Sequence, residues 1–261
     1  MYPSTGYFLH SEIGYLCSML SFLKSKPLLK ELIPQDYTDI HSHVLFGIDD
    51  GAQTQDDTAY LLDSCREFGF ARMVTTPHTC SSVWENTREG IENKLSEVHG
   101  LLPELSGALQ LKAASEYMLD DMFVKLFQSE KLLTLKDNYV LVEMSYINPP
   151  IQLFDILFEL QVAGYQPVLA HPERYNFYHN NFEAYKKLKK SGCLFQANLL
   201  STVGYYGEHV TKTVEKLFKN DMIDFTGSDI HHKNHIASFS KKIKIDELLL
   251  VAAMKRNTFF K

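Results

Sequence analysis

Cysteine is scarce: the 261-residue chain carries four, Cys17, Cys65, Cys80 and Cys193. No two form a C-x-x-C pair, which argues against a thiolate zinc knuckle and suggests no disulfide framework; reduced, cytosolic thiols are expected. No stretch approaches the ~18 apolar residues of a membrane span. Residues Met1 to Ser11 lack the basic start and apolar core of a secretory signal. There is no G-x-G-x-x-G and no P-loop, so the usual phosphate-cradling glycine motifs are missing. Basic charge is short as well: the net charge is −6 and no basic stripe is visible, which excludes nucleic acid as a partner. No low-complexity segment is found. What is present is an ordinary globular composition, 45% hydrophobic, in a length that suits one large α/β barrel or two smaller domains.

Residues 1–35 read as an amino-terminal extension, with a short helix expected in Tyr15–Leu23 and Met19 as an alternative start. From Tyr37 a rhythm of short apolar strands and helix-patterned segments begins. Strands are expected at Tyr37–His41, Arg72–Thr76, Leu109–Ala114, Tyr139–Val142, Pro167–Ala170, Leu194–Ala197 and Met222–Thr226. Helices between them include Asp56–Phe68, stopped by Gly69, and one opened by the Asn86/Glu89 pair. Strands alternating with helices mean parallel pairing through right-handed crossovers. The expected fold is therefore α/β, a distorted seven-stranded (β/α) barrel spanning residues 36–261, with no second domain boundary.

Side chains able to hold a metal recur at the carboxyl ends of these strands. They are His41 and His43, which share one face of the first strand, then His78, Glu116, Glu143, His171, Asp229 and His231, with Asp50 in the first loop. In a parallel barrel those ends meet on one face, where active sites are built. Nine such residues can hold two or three divalent ions, and His/Asp/Glu donors without Cys favour Mn, Fe, Zn or Mg. Glu116 can bridge two ions, a bridging water becomes a hydroxide nucleophile, and Arg174 can neutralise phosphate charge. Asp49 is expected as an acceptor or loop cap, and Glu173 as an orienting partner for a neighbouring histidine. His10, His99, His179 and His209 fall away from strand ends and are read as surface residues; His232 and His235 stay open. Trp84, Tyr205 and Tyr206 sit in loops of the active face, as rim packing or as a platform for an aromatic substrate.

The runs Asp39–His43, Gly47–Ala52, Thr76–His78, Ser115–Tyr117, His171–Tyr175 and Ser228–His231 resemble the PHP (polymerase and histidinol phosphatase) superfamily. The branch they are most similar to is the manganese-dependent protein tyrosine phosphatases of bacterial capsule and exopolysaccharide loci. The resemblance implies a trinuclear centre, manganese first, with Fe, Zn, Co or Mg as alternatives. One ion would be held by His41, His43, Glu116 and Asp229, a second by Glu116, Glu143 and His171, and a third by Asp50, His78 and His231. Arg174, Glu116 and His231 would be catalytic, Arg174 by gripping the phosphate. The implied reaction is attack of a metal-bridging hydroxide on phosphotyrosine, without a phosphoenzyme. The implied partner is an autophosphorylating bacterial tyrosine kinase, in the cytoplasm, with homo-oligomerisation left open. A small ester such as histidinol phosphate is the alternative substrate. Members of the branch carry an arginine shortly after the Ser-Asp-x-His run, where this chain reads His232-Lys233-Asn234-His235-Ile236. A cysteine mechanism is excluded, because the residues six positions after the four cysteines are Leu23, Ala71, Asn86 and Leu199 rather than arginine.

Overall fold

The computed structural model describes residues 25–81 and 83–261. The helix expected in Tyr15–Leu23 lies outside the described residues. Residues 25–32 are tied onto the body. The Lys26 ammonium donates to the carbonyls of Lys244 (2.7 Å) and Ile245 (3.1 Å), Leu28 bridges to Lys242, and a 3-10 turn at Leu29–Leu32 buries Leu29.

The elements run, in order, β1 (Thr38–Asp39), α1 (Gln55–Glu67), β2 (Arg72–Thr75), β3 (His78–Thr79), α2 (Arg88–Leu101), α3 (Pro103–Ala108), β4 (Lys112–Ala113), β5 (Glu116–Met118) and α4 (Asp121–Ser129). They continue as β6 (Tyr139–Glu143), α5 (Leu153–Val162), β7 (Gln166–Ala170), α6 (Phe182–Lys190), β8 (Leu194–Asn198), α7 (Glu208–Lys219), β9 (Phe225–Gly227), α8 (Lys233–Ser238) and α9 (Glu247–Arg256). Helix starts follow short polar caps. Thr54 and Asp57 form a reciprocal capping box on α1, Asp120 accepts from the Phe123 N–H (2.8 Å), and Asp246 accepts from the Leu249 N–H (3.1 Å). Helix α2 is capped by Thr87 rather than opened by Asn86, whose amide instead donates to the carbonyls of Ile48 and His78, both at 2.8 Å.

All strand pairs are parallel, in two sheets of order β1-β2-β4 and β3-β5-β6-β7-β8-β9. The ladder is therefore not the single seven-stranded one expected. The break falls where the second and third expected strands end. Pro77 has no N–H to give to a ladder; its carbonyl accepts from the Glu116 N–H (3.1 Å) and the Ser115 hydroxyl (2.9 Å), and the chain resumes as β3 and β5 in the second sheet. The end of β9 lies against the end of β1. Ser42 and Ile230 form a parallel bridge, the Asp229 N–H donates to the His41 carbonyl (2.7 Å), and the His43 N–H donates to the Ile230 carbonyl (2.9 Å).

Alternation along the strands sorts side chains into two cores. Ile40, Val74, Leu141, Val168 and Phe225 pack in one cluster closed below by Leu135 and Phe260; Val140, Val142, Leu169 and Phe195 pack outward among the helices. The inner cluster is apolar at its foot, so the polar strand ends above it stand on a dry, packed base.

Candidate metal centre

All nine side chains singled out above come together over those strand ends. Their donor atoms gather in four overlapping sets, each within 4.8 Å: His41, His43 and Glu116; His41, His171 and Asp229; His43, Asp50, His78 and His231; and His78, Glu116 and Glu143. His171 thus lies beside His41 and Asp229, and Glu143 beside His78, where the resemblance pairs His171 with Glu143. Glu116 is fully buried and lies at the middle. One oxygen faces His171 Nε2 at 3.1 Å; the other faces His41 Nε2 (3.1 Å), His78 Nδ1 (3.2 Å) and His43 Nε2 (3.4 Å). Two oxygens turned to different rings are what a bridging carboxylate needs.

The partners behind the rings aim them. His41 Nδ1–H donates to the Gln196 carbonyl oxygen (2.7 Å), whose amide is itself fixed by donating to the Ala197 carbonyl. His43 Nδ1–H donates to Asp49 (2.8 Å), and His231 Nδ1–H to the Asp229 carbonyl (2.9 Å). Each of these bonds leaves the Nε2 lone pair directed inward. Asp49 also accepts from the Gly51 N–H (2.9 Å), so it has the expected acceptor place in the loop. Glu173 does not orient a ligating ring: its carboxylate accepts from the Asn198 N–H (2.9 Å) and the Ser201 hydroxyl (2.6 Å). Backbone geometry serves the same end. His171 and Asp229 both sit in the left-handed region, at φ 34° and 51°, a strain of roughly 1–3 kcal/mol each that surrounding structure must hold. A Cβ on Gly51 would stand 2.1 Å from the His43 carbonyl oxygen, so glycine is required where that loop passes the ligand strand.

Electrostatics mark the cluster as one coupled unit. Burial works against charge on His43 and His78, but Asp49 lifts His43 to about 10, and Glu116, Asp50 and Glu143 lift His78 to about 12. Burial opposes the Glu116 charge too, yet His41 and His78 hold its carboxyl well below the usual range. Burial and Arg174 push His171 down to about 4. Imidazoles that hold protons this tightly against buried carboxylates occupy places where divalent cations fit. His43 Nε2 and His78 Nδ1 are buried facing carboxylate oxygens without an aligned hydrogen bond, His43 at 3.4 Å from Glu116 and His78 at 2.8 Å from Glu143, which are places where an ion would take both partners as ligands.

A cavity of 230 Å³ opens above the cluster and is lined by Arg174, Tyr146, Tyr206 and His235 as well as by candidate ligands. Arg174 donates to Asp229 Oδ2 (2.7 Å) and is stacked between the rings of Tyr206 (4.2 Å) and Tyr146 (4.8 Å). Asn198 donates to the same Asp229 oxygen (2.7 Å) and to the Tyr206 hydroxyl (3.0 Å). Of the residues after the Ser-Asp-x-His run, His232 and His235 both line this cavity, the His235 Nδ1 accepting from the His231 N–H (3.1 Å), whereas Lys233 lines a separate one. Tyr206 lies in the site, Tyr205 packs edge-on against His235, and Trp84 lies in another cavity. His99, His179 and His209 stay outside the donor sets, and His10 lies outside the described residues. Sequence reasoning missed Gln196, Asn198 and Tyr146. The first two alternate out of the end of β8, so their position was visible while their amide chemistry was not of ligand type.

Fold and donor set together define a class: a parallel α/β protein whose strand ends carry a cluster of side chains fit to hold several metal ions. The family described as capsular polysaccharide synthesis, CpsB/CapC, matches residues 37–243, and the chain belongs to that family. Among curated relatives, the tyrosine-protein phosphatase CpsB of Streptococcus pneumoniae is 29% identical over 201 residues, covering 74% of this chain and 82% of its own length. The tyrosine-protein phosphatase YwqE of Bacillus subtilis is 26% identical over 195 residues, covering 74% and 77%. A solved structure from work on YwqE and CpsB, described as metal-dependent tyrosine phosphatases, superposes with a TM-score of 0.72 at 25% identity over 82% of this chain and 85% of that one.

Proposed function

We propose that this chain is a metal-dependent protein tyrosine phosphatase, acting in the cytoplasm on a bacterial tyrosine kinase that controls capsule or exopolysaccharide synthesis. The observation that carries this reading is the convergence of four candidate carboxylates and five imidazoles beneath a cavity that Arg174 also lines. Three divalent ions, manganese first, are the complement the family suggests; when bound they supply Lewis acidity and an acidified water. The residues for them are His41, His43, Asp50, His78, Glu116, Glu143, His171, Asp229 and His231, with Glu116 shared between sets.

Arg174 presents its guanidinium to the phosphoryl oxygens, held from behind by Asp229 and from both sides by tyrosine rings. Its planar fork suits two phosphate oxygens at once. The domain responsible is residues 36–261. We read its two sheets as one distorted seven-stranded barrel, supported by the contact of β9 with β1 and by the apolar inner cluster. The test compares kcat/KM on a phosphotyrosine peptide with that on histidinol phosphate. The peptide is expected to be preferred, and a hundredfold preference for the small ester would overturn the assignment.

A further inference from the structure

A second cavity, of 420 Å³, starts at Thr79 and Cys80, directly after His78. Its walls are the segments that follow β3 and β5, two strands paired side by side in parallel. The Asn86 side chain ties this wall to the centre by donating to the His78 carbonyl. The next strand, β6, ends at Glu143, and the loop beyond it carries Tyr146 into the metal-centre cavity. Both cavities therefore belong to the same carboxyl-end face, one or two strand spacings apart. At ~4.8 Å per strand, that offset is roughly 5–10 Å, or two to three residues of extended chain.

The lining is largely apolar: Trp84, Tyr117, Met122, Phe123 and Leu126. Met122 is 52% exposed, and Val83, next to Trp84 in the chain, is 63% exposed, an apolar margin left in solvent. The charged residues of the lining balance, with Arg88, Lys125 and Lys131 against Glu85, Asp120 and Glu130. An apolar side chain suits such a place, and a strongly charged segment does not. The volume lies in the range of about 300–1,000 Å³ typical of ligand pockets.

We propose that this groove is a docking site for the substrate polypeptide, taking an apolar side chain two to three residues from the phosphotyrosine. The inference rests on the protein-phosphatase reading above. It gives that reading a physical basis for choosing protein over small ester, because the groove contacts nothing that a small ester possesses.

The test uses the metal-loaded full chain, with Met122→Glu and Trp84→Ala as variants. Met122 is in the first turn of α4, where a carboxylate is favourable, so the fold should survive. Two substrates are compared: a phosphotyrosine peptide with flanking leucines, and p-nitrophenyl phosphate. Each variant should lower kcat/KM on the peptide about tenfold, mainly through KM, as loss of one buried apolar side chain predicts. Turnover of p-nitrophenyl phosphate should stay within about twofold of wild type. Equal losses on both substrates, or no loss on the peptide, overturn the groove while leaving the phosphatase intact. So does a dimer in the wild type that the variants dissociate, since the groove would then hold a second copy. A wild type that hydrolyses p-nitrophenyl phosphate but no phosphopeptide overturns the function reading itself.

Discussion

Replacing Arg174 by lysine keeps the charge and removes the fork. In the structure the guanidinium donates to Asp229 Oδ2 at 2.7 Å and is stacked on two tyrosine rings, so its orientation is set before substrate arrives. Lysine offers a compact ammonium that can reach one oxygen at a time and stacks less well on Tyr206. Losing one preorganised donor to developing oxyanion charge costs about 10²–10³ in rate, or about 2.7–4 kcal/mol. Arg174→Lys should therefore lower kcat/KM on a phosphotyrosine peptide by roughly 10²-fold. Bound metal should be nearly unchanged, because Asn198 still holds the same Asp229 oxygen. Steady-state kinetics alongside mass-spectrometric metal analysis separates the two effects. Activity within threefold of wild type, or a loss that merely tracks lost metal, would refute a direct phosphate-gripping role.

Asn198→Ala removes the amide that fixes Asp229 and Tyr206; metal affinity should weaken about 10–100-fold in a folded chain, and a titration against metal buffers showing no change would contradict this. The chelated protein should lose stability as pH rises. With His43 lifted to about 10 and His78 to about 12, the folded chain holds protons that the unfolded chain releases above ~6.5, so their contribution is full below that pH and falls as pH rises, through about 10 for His43 and about 12 for His78. Thermal unfolding of metal-free protein should thus move to lower temperature between pH 7 and 10, and a rise across that window would count against it. Phe195→Ala, at a fully buried position on β8, should cost about 3–5 kcal/mol in urea unfolding; a cost under 1 kcal/mol would mean that the outer core is packed differently.

Much of the site was legible because metal donors are chemically distinctive and strand ends are easy to locate. His41 and His43 declared themselves by a spacing of two, and Asp229 and His231 repeated it after β9. The elements were legible where stops are strong, as at Gly69, and the expected Asp56–Phe68 helix lies within one residue of α1. What escaped was set by tertiary contacts. Pro77 splits the ladder because its neighbours draw its carbonyl across to Ser115 and Glu116, a partnership invisible in the local pattern. Asn86 resembles a helix start, but its amide is taken by two distant carbonyls, so Thr87 caps instead. Glu173 follows a histidine in sequence, yet the left-handed turn at His171 swings its carboxylate toward Asn198 and Ser201. Gln196 and Asn198 orient the site through amides, and nothing in an amide's sequence context separates that duty from ordinary strand-end bonding.

The claim on which everything rests is that the clustered imidazoles and carboxylates hold divalent ions that the reaction requires. The most direct measurement is ion content by mass spectrometry, taken with phosphotyrosine hydrolysis, on the same preparation before chelation, after exhaustive chelation, and during stepwise return of manganese. Hydrolysis should vanish with the ions and return as they do, reaching its ceiling at more than one ion per chain. Undiminished hydrolysis in a preparation stripped of metal would contradict it.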